Sequence, residues 1–259
     1  MFTTKDIKEF LKSDTSKENI VFDIKYNQTE NAAINNLKLE NRKGFRYCGN
    51  LESLINEKKL DFLYDIGAND DDLIKTIQQI IYKLITRVIK CYNYDHFLLQ
   101  IRIVLTPYDF MVPRWHFDGT FFVNNPDSLT AKFITVLKGD GTLFFQNNKK
   151  AYDIYYKNLE KNRKKIRKIM LTNKLLIPNE IKDEIYFEIQ EDIEKKNYPT
   201  IMKKLSICKT SQLKTQQGLI FKVKSFMHSE PKITEPRFFI AILPSSKENI
   251  DELKIRWKL

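Results

Sequence analysis

His116 and Asp118 stand two positions apart in "VPRWHFDGTFF", residues 112–122, in a chain that has only three histidines. On an extended strand, residues i and i+2 project from the same face, so an imidazole and a carboxylate are offered side by side. Such a pair can ligate a metal, or it can be two polar residues alternating on a strand. The flanking Trp115, Phe117, Phe121 and Phe122 favour a half-buried sheet, where an unpaired carboxylate is costly. A third ligand has to come from elsewhere. His228 lies in "SFMHSEP", directly after the apolar run "GLIFKVK", and so at a strand end. His96 stands beside Asp95 ahead of another strand and has no such partner.

Two histidines and one carboxylate arranged on one face of a metal leave open positions, a set typical of non-haem Fe(II) oxygenases. Those positions can take a bidentate 2-oxo acid and O₂. The far carboxylate of such a cosubstrate needs a cation, and Arg237 opens the apolar strand "RFFIAILP" soon after His228. A guanidinium there can grip a carboxylate through two parallel hydrogen bonds. The alternative for Arg237 is a salt bridge with a neighbour such as Glu235.

The order H-x-D, a distant His, then Arg on the next strand resembles that of the 2-oxoglutarate/Fe(II)-dependent dioxygenases. In "AKFITVLKGDGTLFF" the resemblance extends to the prolyl-hydroxylase-like members, with Lys132 where an Arg would stand and Thr135 where their Thr would be. "RWHFDGTFF" is also similar to the taurine-dioxygenase-like branch, in which Trp precedes the His. The resemblance implies a double-stranded β-helix, or jelly roll, holding Fe(II) through His116, Asp118 and His228. It implies 2-oxoglutarate bound by Arg237, with Thr135 as a further contact. The tyrosine that often binds the cosubstrate on the strand after H-x-D has no clear equivalent. Trp115 and Arg102, mid-strand in "QIRIVL", are candidates for the substrate side. The activity implied is a hydroxylase coupling oxidative decarboxylation of 2-oxoglutarate to oxidation of a substrate. A non-catalytic jelly-roll binding module and a basic nucleic-acid-binding protein on the same scaffold are the alternatives.

The elements that must position these residues follow from periodicity. "TKDIKEFLKS" reads as a short helix and "NIVFDIKYN" as a strand. "NDDDLIKTIQQIIYKLITRVIKCYNY" reads as a long helix. Asp70 to Asp72 sit in its first turn, and Ile74, Ile77, Ile80, Ile81, Leu84 and Val88 form one apolar stripe. "FLLQIRIVLTP", "RWHFDGTFF" and "AKFITVLKGDGTLFFQN" read as four strands, the last two joined as a hairpin at Gly139-Asp140-Gly141. "QGLIFKVKS", "RFFIAILPS" and the tail "LKIRWKL" read as further strands. Strands without intervening helices argue for an antiparallel sandwich or barrel in a mainly β protein with helices, an α+β class. The expected layout is one domain over 1–259. Residues 1–96 form a mixed support, 97–146 and 211–259 the core, and 147–210 a charged helical insertion.

Composition sets the remaining bounds. Hydrophobic residues make up 42% and aromatics 12%, enough for a sizeable core. The three cysteines are far apart without C-x-x-C spacing, so neither a disulfide framework nor a structural zinc site is expected. No signal peptide or membrane span is visible, and an intracellular location is the expectation. The net charge of +11 favours a polyanionic partner such as nucleic acid, though lysine-rich codon usage explains it equally well. The charge concentrates at Lys149, Lys150, Lys161, Arg163, Lys164, Lys165, Arg167 and Lys168, with Tyr152, Tyr155 and Tyr156 available to stack on unpaired bases.

Overall fold

The computed structural model describes residues 4–12, 18–106, 115–118, 121–122, 130–146, 148–172 and 199–259. The chain divides into two compact units, Met1–Phe144 with Gln212–Leu259, and Phe145–Ser211.

The first unit begins with α1 (Thr4–Lys12), β1 (Asn19–Asp23), α2 (Gln28–Asn36), β2 (Lys43–Asn50), α3 (Leu51–Asn56) and a 3-10 turn at Asp61–Asp65. It continues with α4 (Asp71–Tyr92), β3 (His96–Val104), β4 (Ala131–Lys138) and β5 (Leu143–Phe145). The second unit holds α5 (Asn148–Thr172) and α6, described over residues 199–205. β6 (Thr210–Gln212) begins in the second unit and ends in the first, and β7 (Gln217–Lys222), β8 (His228–Ser229), β9 (Arg237–Ser245) and α7 (Lys247–Trp257) follow in the first.

The strands form two sheets. Six run in the order β1-β7-β4-β9-β3-β2, and three in the order β6-β5-β8. His116 adds an isolated antiparallel bridge to His228 of β8. From β3 to β9 the chain therefore winds between the sheets: β3 in the large one, His116 against the small one, β4 in the large, β5 and β6 in the small, then β7, β8 and β9 alternating. This antiparallel winding is a jelly roll, with β1 and β2 added at the edges of the larger sheet.

The larger sheet separates two environments. Phe97, Leu99, Ile101 and Ile103 of β3, Phe133 and Leu137 of β4, and Phe238, Ile240 and Ile242 of β9 share a core with the apolar stripe of α4. Asp70 starts that helix by accepting from the Leu73 amide, and Asn93 ends it in the left-handed conformation. On the opposite face, Ile134, Leu219, Phe221 and Ala241 pack with Phe144 of the small sheet, Leu213 and Phe226.

Three expectations from the sequence are corrected. The Gly139–Gly141 turn does not close a hairpin, because β4 and β5 lie in different sheets. Gly139 has φ +86 and a Cβ there would lie 2.6 Å from the Pro236 carbonyl oxygen, while a Cβ at Gly141 would lie 1.6 Å from that of Leu213. The turn is wedged against two other segments, so the chain crosses between sheets instead of doubling back. The tail "LKIRWKL" is not a strand; its first five residues are the C-terminal part of α7. Ser246 caps that helix by accepting from the Asn249 amide, and Ile250 and Leu253, one turn apart, are fully buried. The strand expected across "RWHFDGTFF" is reduced, among residues 115–118, to the bridge at His116.

Ile77 of α4 is fully buried, whereas Ile255 of α7 is 79% exposed. Ile77→Ala is expected to lower unfolding free energy by about 2–5 kcal/mol and Ile255→Ala by less than about 0.5 kcal/mol. Denaturant titration of both variants measures the contrast.

Candidate metal centre

Main-chain pairing places the first two candidate ligands. The His116 amide donates to the His228 carbonyl at 2.9 Å, and the His228 amide to the His116 carbonyl at 3.0 Å. His228 is held on its other side by β5, opposite Phe144. The imidazoles face each other with ring centroids 4.5 Å apart.

Asp118 completes the cluster. Its Oδ1 lies 3.7 Å from His228 Nε2 and 4.0 Å from His116 Nε2. One ligand atom from each of the three residues lies within 4.8 Å of the others. An ion reaching about 2.0–2.2 Å to each ligand spans atoms up to about 4.4 Å apart, so both separations from Asp118 can be bridged by one ion. His228 Nδ1 is 3.4 Å from the Phe226 carbonyl oxygen, an orientation in which Nδ1 donates and Nε2 keeps its lone pair. Phe221 and Phe226 pack on the same ring, at centroid distances of 4.9 and 6.2 Å.

The electrostatics suit ligation. Burial pushes the His228 imidazole down to about 4 despite the opposing pull of Asp118, so it is neutral near pH 7. Burial alone would raise the Asp118 carboxyl. The Lys132 ammonium, His228, the hydrogen bond from Lys132 and His116 together outweigh it and hold the group at about 2. A neutral imidazole and an ionised carboxylate are the forms that bind metal. Lys132 Nζ reaches Asp118 Oδ2 at 2.8 Å; the lysine is buried and the carboxylate half-buried.

The other candidates divide. Arg237 is buried and shares a face of β9 with Ala241, the face turned toward Phe221 and Phe226. Its Nε donates to the Asp140 carbonyl at 2.7 Å and its Nη2 to the Thr142 hydroxyl at 3.1 Å. Its guanidinium stands over Phe239 at 4.7 Å. Arg102 lies opposite Phe239 in the ladder and so on this same face, with Nη1 3.6 Å from Glu230 Oε1. Trp115 is buried beside the bridge. Thr135 is not brought to the cluster. It alternates with Lys132 and Ile134, belongs to the helix-covered side of β4, and donates to the Gln217 carbonyl at 2.8 Å. His96 pairs with Asp95 at 2.8 Å, at the start of β3.

Three further residues near the cluster carry weaker sequence signals. Lys132 stands at the position of a motif Arg, and a lysine inside an apolar strand signals a buried partner. Thr142 was part of "GDGTLFF" without a role. Glu230 follows His228 by two positions, the same spacing that marked Asp118 after His116.

In the second unit, Lys149, Lys150, Lys161, Lys164, Lys165 and Lys168 are exposed on α5, and Lys149 pairs with Asp153 at 3.4 Å. The side chains of Arg163 and Arg167 lie outside the described ones. Tyr156 packs against Tyr152 in a tilted contact and against Tyr155 edge-to-face, with ring centroids 4.1 and 6.1 Å apart. Among the described residues, no helix is long and apolar enough to cross a membrane.

No protein-family model matches the sequence, and no curated protein matches it. Among solved structures the chain is similar to a prolyl-4-hydroxylase from Pseudomonas putida, with 6% identity and a TM-score of 0.39 over 93% of this chain and 99% of that one. It is similar to an N-substituted L-amino acid dioxygenase from Burkholderia ambifaria, with 13% identity and a TM-score of 0.42 over 95% and 89%. A third is the non-heme alpha-ketoglutarate-dependent epimerase SnoN of nogalamycin biosynthesis, with 8% identity and a TM-score of 0.40 over 94% and 84%. Likeness at this level carries no residue-by-residue correspondence. The functional reading therefore rests on this chain's own winding and site.

The site makes the metal-free protein sensitive to acid. His228 titrates at 6.5 when unfolded and at about 4 when folded. The unfolded chain thus takes up a proton first. The contribution is complete above pH 6.5 and is lost as pH falls to about 4, by on the order of 3 kcal/mol. Asp118 contributes separately, from 3.8 down through about 2. Denaturant titrations between pH 7 and 4.5 should show the first loss in wild type and a flatter profile in His228→Gln.

Proposed function

We propose that this chain is an Fe(II)- and 2-oxoglutarate-dependent oxygenase that hydroxylates its substrate. The observation that carries the reading is the convergence of His116, Asp118 and His228 at one point inside a jelly roll. Two imidazole nitrogens and one carboxylate oxygen on one side leave the other side of an ion open, the arrangement suited to non-haem Fe(II). When bound, the iron and the 2-oxo acid supply the oxidising chemistry.

This chain's residues orient and enclose. His116, Asp118 and His228 would hold the metal. Arg237 would hold the far carboxylate of 2-oxoglutarate, its guanidinium oriented by the Asp140 carbonyl and the Thr142 hydroxyl. Phe221 and Phe226, packed on His228, keep water from that ligand's inner side. Arg102 with Glu230 forms a charged pair on the same sheet face and would meet substrate.

Anaerobically purified protein supplied with Fe(II), 2-oxoglutarate and O₂ is expected to form succinate. His116→Ala and Asp118→Ala should lower turnover by at least about 100-fold, on the scale of losses for groups that act as one unit. Arg237→Lys should raise the half-saturating 2-oxoglutarate concentration by about tenfold or more, because a point charge replaces a planar fork. Succinate formation that is insensitive to His116→Ala would overturn the reading.

A second role is proposed for the other unit, binding of nucleic acid. Lys150, Lys157, Lys161, Lys164 and Lys168 fall on one stripe of α5 at helical spacing, and all five are exposed. Such a stripe can track a phosphate backbone. Binding to single-stranded RNA or DNA should weaken with salt, and charge reversal at Lys157, Lys161 and Lys164 should flatten log K against log[salt] by about 0.7 per lost phosphate contact. Unchanged binding in that variant would rule the stripe out.

A further inference from the structure

Lys132 sits where an apolar residue would be expected. It lies in β4 on the same face as Ile134, directly opposite Phe221 of β7, whose ring packs against His228. Only 6% of the residue is exposed. A lysine in such a position needs a partner that repays its desolvation, and it has one in Asp118 Oδ2 at 2.8 Å. The ammonium also stands 5.3 Å from the centre of the Phe121 ring, within cation–π range. The two oxygens of Asp118 are therefore assigned differently. Oδ2 is held by Lys132, while Oδ1 faces both imidazole Nε2 atoms.

We propose that Lys132 is a positioning residue of the metal centre, holding Asp118 so that the carboxylate offers one oxygen, not two, to the ion. A carboxylate free to rotate can chelate through both oxygens and occupy a position that a cosubstrate would otherwise take. Lys132 prevents this by engaging the second oxygen. It also places a positive charge beside the ion, so the geometry that keeps positions open is obtained at lower metal affinity. This inference rests on the metal-centre reading but is separable from it.

The probe is Ni(II), with no cosubstrate present. X-ray absorption of the Ni(II)-loaded wild type should report a carboxylate bound through one oxygen. Lys132→Met removes the ammonium but keeps an unbranched chain of similar reach. It should bind Ni(II) about tenfold more tightly, the effect of removing one nearby like charge and freeing one ligand oxygen. Its absorption spectrum should show a chelating carboxylate. Lys132→Arg, which keeps a cationic donor, should stay close to wild type in both respects. A lysine that served only packing would leave coordination unchanged and weaken binding if it did anything.

A chelating carboxylate in the wild type would overturn the proposal, and this measurement does not depend on any variant folding. Unchanged or weaker Ni(II) binding by folded Lys132→Met would also overturn it, while leaving the metal centre standing. Failure of wild type to bind Ni(II) better than His116→Ala would remove the metal centre and this proposal together.

Discussion

The reciprocal pair of hydrogen bonds between the backbones of His116 and His228 is the constraint on which the site depends. It joins two segments distant in sequence through main-chain groups, so neither imidazole is used in making the bridge. The strand on the His228 side is two residues long, and β5 secures it at Leu143↔Ser229 and Phe144↔His228. His228 thus lies between two neighbours, and its position is determined by main-chain geometry from both directions. The wider jelly roll supplies the ends of those segments. Loss of that winding would separate the ligands even if every side chain were kept.

Around this constraint, charge is kept in local balance. Burial of the Asp118 carboxylate is costly unless an opposite charge stands beside it. Lys132 supplies the counter-ion from a neighbouring strand, and burial keeps His228 neutral. Neither Asp118 nor His228 therefore has to lose a proton to meet a divalent ion near pH 7. Arg237 is organised in a similar way at a different point. Its guanidinium is aimed by the Asp140 carbonyl and the Thr142 hydroxyl, both in the crossover that the glycines at 139 and 141 make possible. The turn that carries the chain from one sheet to the other also orients the arginine.

What the sequence made legible was whatever depends on local periodicity. The stripe of α4, the apolar runs of β3, β7 and β9, and the strand-end position of His228 can all be read from neighbouring residues. The pairing of His116, Asp118 and His228 was legible because histidine is rare in this chain and because ligand sets have few compositions. Tertiary partnership was not legible. "KGFRYCGN" contains two glycines and does not stand out as a strand, yet β2 pairs along its whole length with β3. "LKIRWKL" alternates like a strand, but the Ser246 cap and the spacing of Ile250 and Leu253 make it helical. The turn after β4 has hairpin chemistry. Only the atoms it packs against, from Pro236 and Leu213, show that it crosses between sheets. Thr135 was assigned by motif position, whereas its side is set by strand parity.

Parity is also what lets one strand serve both sides of the larger sheet. In β4, Phe133 contributes to the core shared with the helices, while Ile134 contributes to the interior between the sheets. Lys132 carries that second face to Asp118. A slip of one residue would exchange the faces, putting Lys132 under the helices and Phe133 beside the ligands. The register of Phe133 to Thr135 against both β7 and β9 resists such a slip, because it is fixed on two sides. Beyond Val136 the pairing with β9 shifts by a bulge, so Lys138, not Leu137, comes opposite Phe238. From there Lys138 Nζ donates to the carbonyls of Asn35 and Leu37 at the end of α2, which has no basic residue in its own last turn. One lysine of β4 therefore steadies the carboxylate inside the jelly roll, and another steadies a helix end outside it. The bulge allows the second without disturbing the alternation that the first requires.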